Sequence, residues 1–166
     1  MQFGKGILPA KEYLSNGLFS IQNCYSEAES SFNRQLHFHD FYELSLIYEG
    51  SSRFLINGSS FVAAAGSLQL IRPSDYHRQM TDTGEYIRYY NLIFRQEVLS
   101  NVLSDALEEA VEPFCFQMQE KEMQKMTQLL LELKREQEEK EAFWEKMSAD
   151  LIEKICILIL RKSPKK

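Results

Sequence analysis

The pattern of the sequence changes near residue 95, and this change constrains the fold more than any other feature. Before it, short segments rich in aromatic and β-branched residues alternate with Gly, Asn and Pro. After it, Glu, Lys, Gln, Leu and Met dominate and glycine is absent. We therefore expect a mainly β domain, in which short strands form a sandwich or barrel, followed by helices.

The first part of the chain predicts short strands separated by turns. Asn57-Gly58 is the clearest turn, because both residues tolerate the positive φ angles of a two-residue hairpin. Glu49-Gly50 is expected to end the strand before it. The predicted strands cover residues 18–25, 41–48, 53–56, 59–63, 67–71, 77–81 and 85–94.

The second part predicts helices over 96–111, 119–140 and 142–162, from apolar residues at helical spacing. The last helix is apolar around most of its circumference, which predicts that it covers two surfaces. One would belong to its own chain and the other to a second copy. The candidate dimer interface is Met147, Leu151, Ile155 and Leu158. The alternative is a helix buried wholly within one subunit.

Composition limits the possible partners and the cellular compartment. The 166-residue chain has a net charge of −5 and a pI near 5.3, which argues against binding of nucleic acid by these residues alone. Its three cysteines form no Cys-x-x-Cys pair, which favours reduced thiols in the cytoplasm. No signal-like apolar stretch begins the sequence, and no apolar run is long enough for a membrane span.

All three histidines and one glutamate form a candidate site. His37, His39 and Glu43 share parity, so an extended strand would place their side chains on one face. His77 follows a turn at Pro73, where a neighbouring strand could bring it close. Two imidazoles and a carboxylate suit a divalent transition metal, with His77 as a fourth ligand. The alternative is a hydrogen-bonded network on the inner face of a sheet.

The spacing His37-x-His39-x3-Glu43-x6-Gly50 resembles the first motif of the cupin superfamily. Gly66, Pro73 and His77 resemble the second motif, but Asp75 replaces a glycine and His77 lies one residue too early. With the helices that follow, the pattern is similar to the sensor domain of AraC-type bacterial transcription regulators. The resemblance implies a cupin-like double-stranded β-barrel, or jelly roll, that binds a small organic effector, often a sugar.

That resemblance also implies a division of the chain and a set of partners. Residues 1–17 would form an N-terminal arm, 18–95 the effector-binding barrel and 96–166 a helical segment for homodimerisation. DNA would be bound only through a region absent from these residues. No cofactor, enzymatic activity or membrane contact is expected. The alternative is a cupin isomerase or dioxygenase with a divalent metal at His37, His39, Glu43 and His77.

Candidate effector contacts combine the motif with aromatic and basic residues on the predicted strands and turns. Flat apolar rings with polar edges suit a hydroxylated ligand. The predicted set is His37, His39, Glu43, Tyr48, Arg72, His77, Arg88 and Tyr90.

Overall fold

The computed structural model describes residues 8–15, 17–28, 36–73 and 75–163. Residues 1–7 and 16 of the predicted N-terminal arm and residues 164–166 of the predicted helical segment lie outside the described residues. The strands are β1 (Phe19–Glu27), β2 (Tyr42–Ile56), β3 (Ser59–Ala64), β4 (Ser67–Ile71), β5 (His77–Met80), β6 (Tyr86–Phe94) and β7 (Phe114–Gln117). The helices are α1 (Ala10–Leu14), α2 (Asn101–Glu108), α3 (Glu120–Glu139) and α4 (Trp144–Lys162).

The strands are antiparallel, and the long strand β2 belongs to two groups of strands. Its first half lies between β6 and β4 in the order β1-β6-β2-β4-β7, and its second half pairs with β3 and β5. This mainly β domain followed by helices confirms the predicted fold class.

Gly50 does not end a strand, as expected from the sequence, but allows β2 to continue through an irregularity. The register between β2 and β6 shifts between Ile47 and Glu49. Gly50 has a φ of +80°, and an added Cβ would lie 1.9 Å from the carbonyl oxygen of Tyr86. Only glycine permits this approach, so the predicted strands 41–48 and 53–56 are one strand that passes from the first group to the second.

The Asn57-Gly58 hairpin is confirmed, because the two residues have φ angles of 49° and 85°. The predicted helix 96–111 is wrong in extent. Residues Gln96–Val98 form a 3₁₀ turn, Leu99 is extended, and α2 begins only at Asn101. Strand β7, which pairs with β4, was not predicted, because four residues between two helices carry too little periodicity.

Alternation along the strands separates two environments. Tyr42, Leu44 and Leu46 of β2 belong to the main core, which lies between the sheet and the C-terminal helices. Glu43 and Ser45, with the opposite parity, line an internal cavity. Gln137 of α3 both accepts from the backbone N–H of Ile21 and donates to its carbonyl, and so holds the helix against β1.

Helix α4 buries most of its apolar residues in its own chain. Leu151 is 8% exposed and Ile155 is fully buried in the main core, so their assignment to a dimer interface is corrected. The helix packs against both α3 and α2, which explains its wide apolar circumference. Met147 remains 49% exposed and Leu158 is half-buried. Within the described part of the chain, no helix is both long and apolar enough to cross a bilayer.

Candidate functional site

A cavity of about 270 Å³ lies between the inner faces of the strands. Both groups of strands contribute, and the N-terminal segment around α1 adds two residues. The residues that line the cavity are Leu8, Tyr13, Ser20, Gln22, Cys24, His37, His39, Phe41, Glu43, Ser45, Phe54, Gln69, Ile71, His77, Gln79, Tyr89, Asn91 and Ile93. Four predicted residues, His37, His39, Glu43 and His77, are therefore brought together here.

His39 contacts Glu43 because the chain bends before β2. The Nε2 atom of His39 is 3.1 Å from Oε2 of Glu43, whereas positions four apart on a straight strand are about 13 Å apart. The predicted single strand through His37, His39 and Glu43 is therefore wrong. His37 and His39 lie before β2 in isolated bridges, His37 with His77 and His39 with Leu8.

Glu43 is the electrostatic centre of the cluster. Its Oε1 accepts from Nδ2 of Asn91 at 2.7 Å, and its Oε2 lies 3.6 Å from Nε2 of His77. Burial alone would raise the pKa of Glu43, but hydrogen bonds and charge from His39 and His77 outweigh it and hold the pKa well below its usual range. The carboxylate is thus ionised at neutral pH, with both oxygens in polar contacts.

The two buried histidines differ in their remaining ring nitrogens. Nδ1 of His39 is 2.7 Å from the carbonyl oxygen of Phe41, which orients the ring. Nδ1 of His77 is buried and has no hydrogen-bond partner among the described residues. The ring centroids of His37 and His77 are 4.2 Å apart, so all three imidazoles lie side by side.

A second set of polar residues crosses the cavity wall. In the sheet register, Gln22 lies opposite Asn91, Asn91 opposite Ser45, and Ser45 opposite Gln69. We call these four residues the polar row. Sequence analysis did not single them out, although Ser45 shares its parity with Glu43, and Asn91 lies within the predicted strand 85–94. Polar residues at alternate positions of otherwise apolar strands were the available signal.

The other four predicted contacts are not among the residues that line the cavity. Arg88 and Tyr90 alternate along β6 with the lining residues Tyr89 and Asn91, so their side chains lie on the opposite side of the sheet. Tyr48 and Tyr90 contact each other with ring centroids 5.1 Å apart. Arg88 is exposed and lies 3.8 Å from Glu49. Arg72 is 4% exposed and pairs with Asp75. The side of a sheet on which a residue lies can be assigned only when the register of the strands is known. This is why the sequence analysis placed these four residues in the cavity and the structure does not.

Arg72 instead joins the turn before β5 to helix α2. Its Nε and Nη2 donate to the two carboxylate oxygens of Asp75, at 3.0 and 2.9 Å. Its Nη1 donates to the carbonyl oxygen of Leu107 at 3.0 Å and to that of Ala110. The carboxylate of Asp75 also accepts from Nδ2 of Asn57. This buried network caps the C-terminal carbonyls of α2.

Comparison with known proteins identifies the family. The model of the AraC-like ligand binding domain matches residues 22–154. The chain belongs to this family. Among curated protein sequences, none matches this AraC-like domain.

Comparison with solved structures gives matches of differing extent. An apo ToxT variant from Vibrio cholerae matches with a TM-score of 0.56 and 14% identity, over 88% of this chain and 54% of that chain. The present chain thus corresponds to about half of the length of ToxT. A cupin protein from Bacteroides fragilis has a TM-score of 0.43 and 17% identity, over 55% of this chain and 77% of that chain. DMSP lyase DddQ from Ruegeria pomeroyi has a TM-score of 0.41 and 17% identity, over 50% of this chain and 41% of that chain.

The histidine cluster also has the chemistry of a metal site. Potential ligand atoms of His39, Glu43 and His77 all lie within 4.8 Å of one another. Imidazole nitrogen and carboxylate oxygen are suitable ligands for zinc or iron, and the Phe41 carbonyl orients His39 as in many metal sites. His37, which was also predicted as a ligand, is not part of this group.

Proposed function

We propose that this AraC-like domain senses a small-molecule effector, which binds in the cavity between the strands. The observation that supports this proposal is the cavity itself. It combines apolar walls with converging polar groups, as is typical of ligand sites. The effector would be a hydroxylated metabolite such as a sugar. Tyr13, Tyr89 and Phe54 provide aromatic surfaces for its apolar faces, and the side-chain amides provide partners for its hydroxyl groups.

Helix α2 would transmit occupancy of the cavity to the remaining helices. It is attached to the outer sides of two strands whose inner sides line the cavity. The hydroxyl of Tyr42, next to Glu43, donates to Glu108 at 2.8 Å, and Arg72, next to Ile71, donates to the carbonyl of Leu107. An effector that binds one arrangement of these strands more tightly would shift the position of α2.

The domain would act as a homodimer within a transcription regulator. Met147 and Leu158 lie three helical turns apart on one side of α4, where Met147 is exposed and Leu158 half-buried. This face, rather than the buried Leu151 and Ile155, would contact the second copy. DNA contact would come from residues outside this chain, because the net charge of −5 does not favour contact with phosphates here.

Effector binding is tested by thermal denaturation against a metabolite library, with a variant that fills the cavity. Ser45 lines the cavity and is 8% exposed, so Ser45→Leu should abolish any ligand-induced rise in Tm. Ser60→Leu, at an exposed position of β3, is the matched control and should retain it. A ligand that stabilises both variants equally would contradict binding in the cavity. A complete absence of ligand-dependent stabilisation would contradict the sensor function.

A metal-dependent enzyme is the second candidate, and the grouping of His39, Glu43 and His77 favours it. Protein purified without chelators would then contain about one metal per chain, and His77→Ala would remove it. Elemental analysis decides between the two functions. Metal far below one equivalent, unchanged in the variant, would exclude the enzyme.

A further inference from the structure

The polar row contains a buried donor that the folded chain leaves unused. Gln69 is 1% exposed, and its Nε2 has no hydrogen-bond partner among the described residues. The amide approaches the thiol of Cys115 on the adjacent strand, but that sulfur is only a weak acceptor, and the Gln69 side chain lines the cavity. An unpaired buried donor is costly, and native proteins rarely keep one without a role.

The charges around the cavity restrict what could pair with this donor. Among the described lining residues there is neither Lys nor Arg, and Glu43 is the single carboxylate. Its oxygens already contact Asn91, His39 and His77. A ligand carboxylate or phosphate would therefore find no lysine or arginine in the lining, and His39 and His77 already face Glu43. A ligand ammonium would have to compete with the partners that Glu43 already has.

Apart from Glu43 and the histidines, the polar groups of the wall are uncharged. Burial raises the pKa of both Cys24 and Tyr89, so that each stays protonated at neutral pH. Gln22, Ser45 and Gln79 add amide and hydroxyl groups to the same lining. Neighbouring strands are about 4.8 Å apart, so the polar row presents hydrogen-bonding groups at a regular interval across the wall.

We propose that the polar row is the recognition surface for an uncharged ligand, whose hydroxyl or amide oxygen accepts from Nε2 of Gln69. Charged molecules are then disfavoured because the lining has no lysine or arginine and its one carboxylate already has partners, while the polar row provides contacts for uncharged groups. This inference rests on the proposed effector function and specifies the ligand class for that cavity.

The test uses three small probes that share one carbon skeleton: lactamide is uncharged, lactate is anionic and alaninamide is cationic. Binding to the 166-residue protein is titrated by ¹⁵N-edited NMR, with the Gln69 side-chain amide identified from its loss in Gln69→Leu. We expect lactamide to bind saturably, with a dissociation constant on the order of millimolar, and to shift this amide. The two charged probes should bind at least about tenfold more weakly.

Two variants separate recognition from a general effect on the fold. Gln69→Leu keeps the size of a buried side chain and should weaken lactamide about tenfold. Gln128→Leu makes the same change on the exposed side of α3 and should leave lactamide binding unchanged. Unaltered lactamide binding in Gln69→Leu, tighter binding of lactate or alaninamide, or no saturable binding of lactamide would each overturn the inference.

Failure of this inference is distinguishable from failure of the proposed function. A charged metabolite that stabilises the wild type, but not Ser45→Leu, would refute the uncharged-ligand class and leave effector binding in the cavity intact. Only the absence of every ligand-dependent effect in the library would refute both.

Discussion

Replacing Arg72 with methionine should destabilise the domain strongly, because it leaves the buried partner Asp75 unpaired. Arg72 is 4% exposed and Asp75 1% exposed, and two hydrogen bonds of 2.9 and 3.0 Å join their side chains. Breaking a buried pair by removal of one partner costs about 3–5 kcal/mol. For a chain of this size, that corresponds to a decrease in Tm of roughly 6–20 °C.

The matched control is Arg53→Met. Arg53 is paired with Asp82 at a similar distance, but both side chains are more than half exposed. Such a surface pair contributes about 0–1 kcal/mol, so this variant should remain close to the wild type. The free energy of unfolding of both variants can be measured by urea denaturation followed by circular dichroism. Equal losses in the two variants would refute the argument from burial.

The dependence on pH gives a second check of the same pair. Burial would raise the pKa of Asp75, but hydrogen bonds from Arg72 and Asn57 and the charge of Arg72 lower it below 3.8. The stability from this ionised carboxyl is therefore complete above pH 3.8 and is lost as the pH falls through the lower folded value. In Arg72→Met, burial dominates and the carboxyl is protonated more easily. The difference in stability between wild type and variant should shrink as the pH falls from 7 to about 3.

Three further changes test other parts of the structure. Gly50→Ala should destabilise by more than about 3 kcal/mol in urea denaturation, because its Cβ would lie 1.9 Å from the Tyr86 carbonyl oxygen; a loss under 1 kcal/mol would mean that β2 does not pass through this contact. Gln69→Leu should raise the stability of the ligand-free protein by about 1 kcal/mol, since it removes an unpaired buried donor; a clear loss of stability would show that the amide is already satisfied. Met147→Glu should leave the Tm of the subunit within about 1 °C, because the side chain is 49% exposed, but should weaken self-association measured by sedimentation. Unchanged self-association of Met147→Glu would show that the dimer interface lies elsewhere.

Several elements were predictable because their signals are local. The Asn57-Gly58 turn depends on the conformational tolerance of two residues, and β4 was predicted with its exact bounds, 67–71. The long helices α3 and α4 were predicted within two residues at each end, because their periodicity extends over many turns.

Other features depend on contacts between distant segments and were missed. The break between the 3₁₀ turn and α2 places Val98 and Leu99 in the core, although helical spacing favours continuation. The contact of His39 with Glu43 requires a bend that a shared parity does not predict. The assignment of Arg72 to the cavity failed because the side of the sheet on which it lies is set by the register of β4.

The sequence alone was sufficient for the order of strands before helices, for the clearest hairpin and for the histidine–glutamate motif that locates the cavity. These features follow from backbone preferences and from short-range periodicity, which each segment carries by itself. Only the tertiary structure decided which polar residues face the cavity, which apolar residues of α4 are covered by their own chain, and that Gln69 keeps an unpaired donor. These depend on strand register and packing, where one residue of slip exchanges the two sides of a sheet.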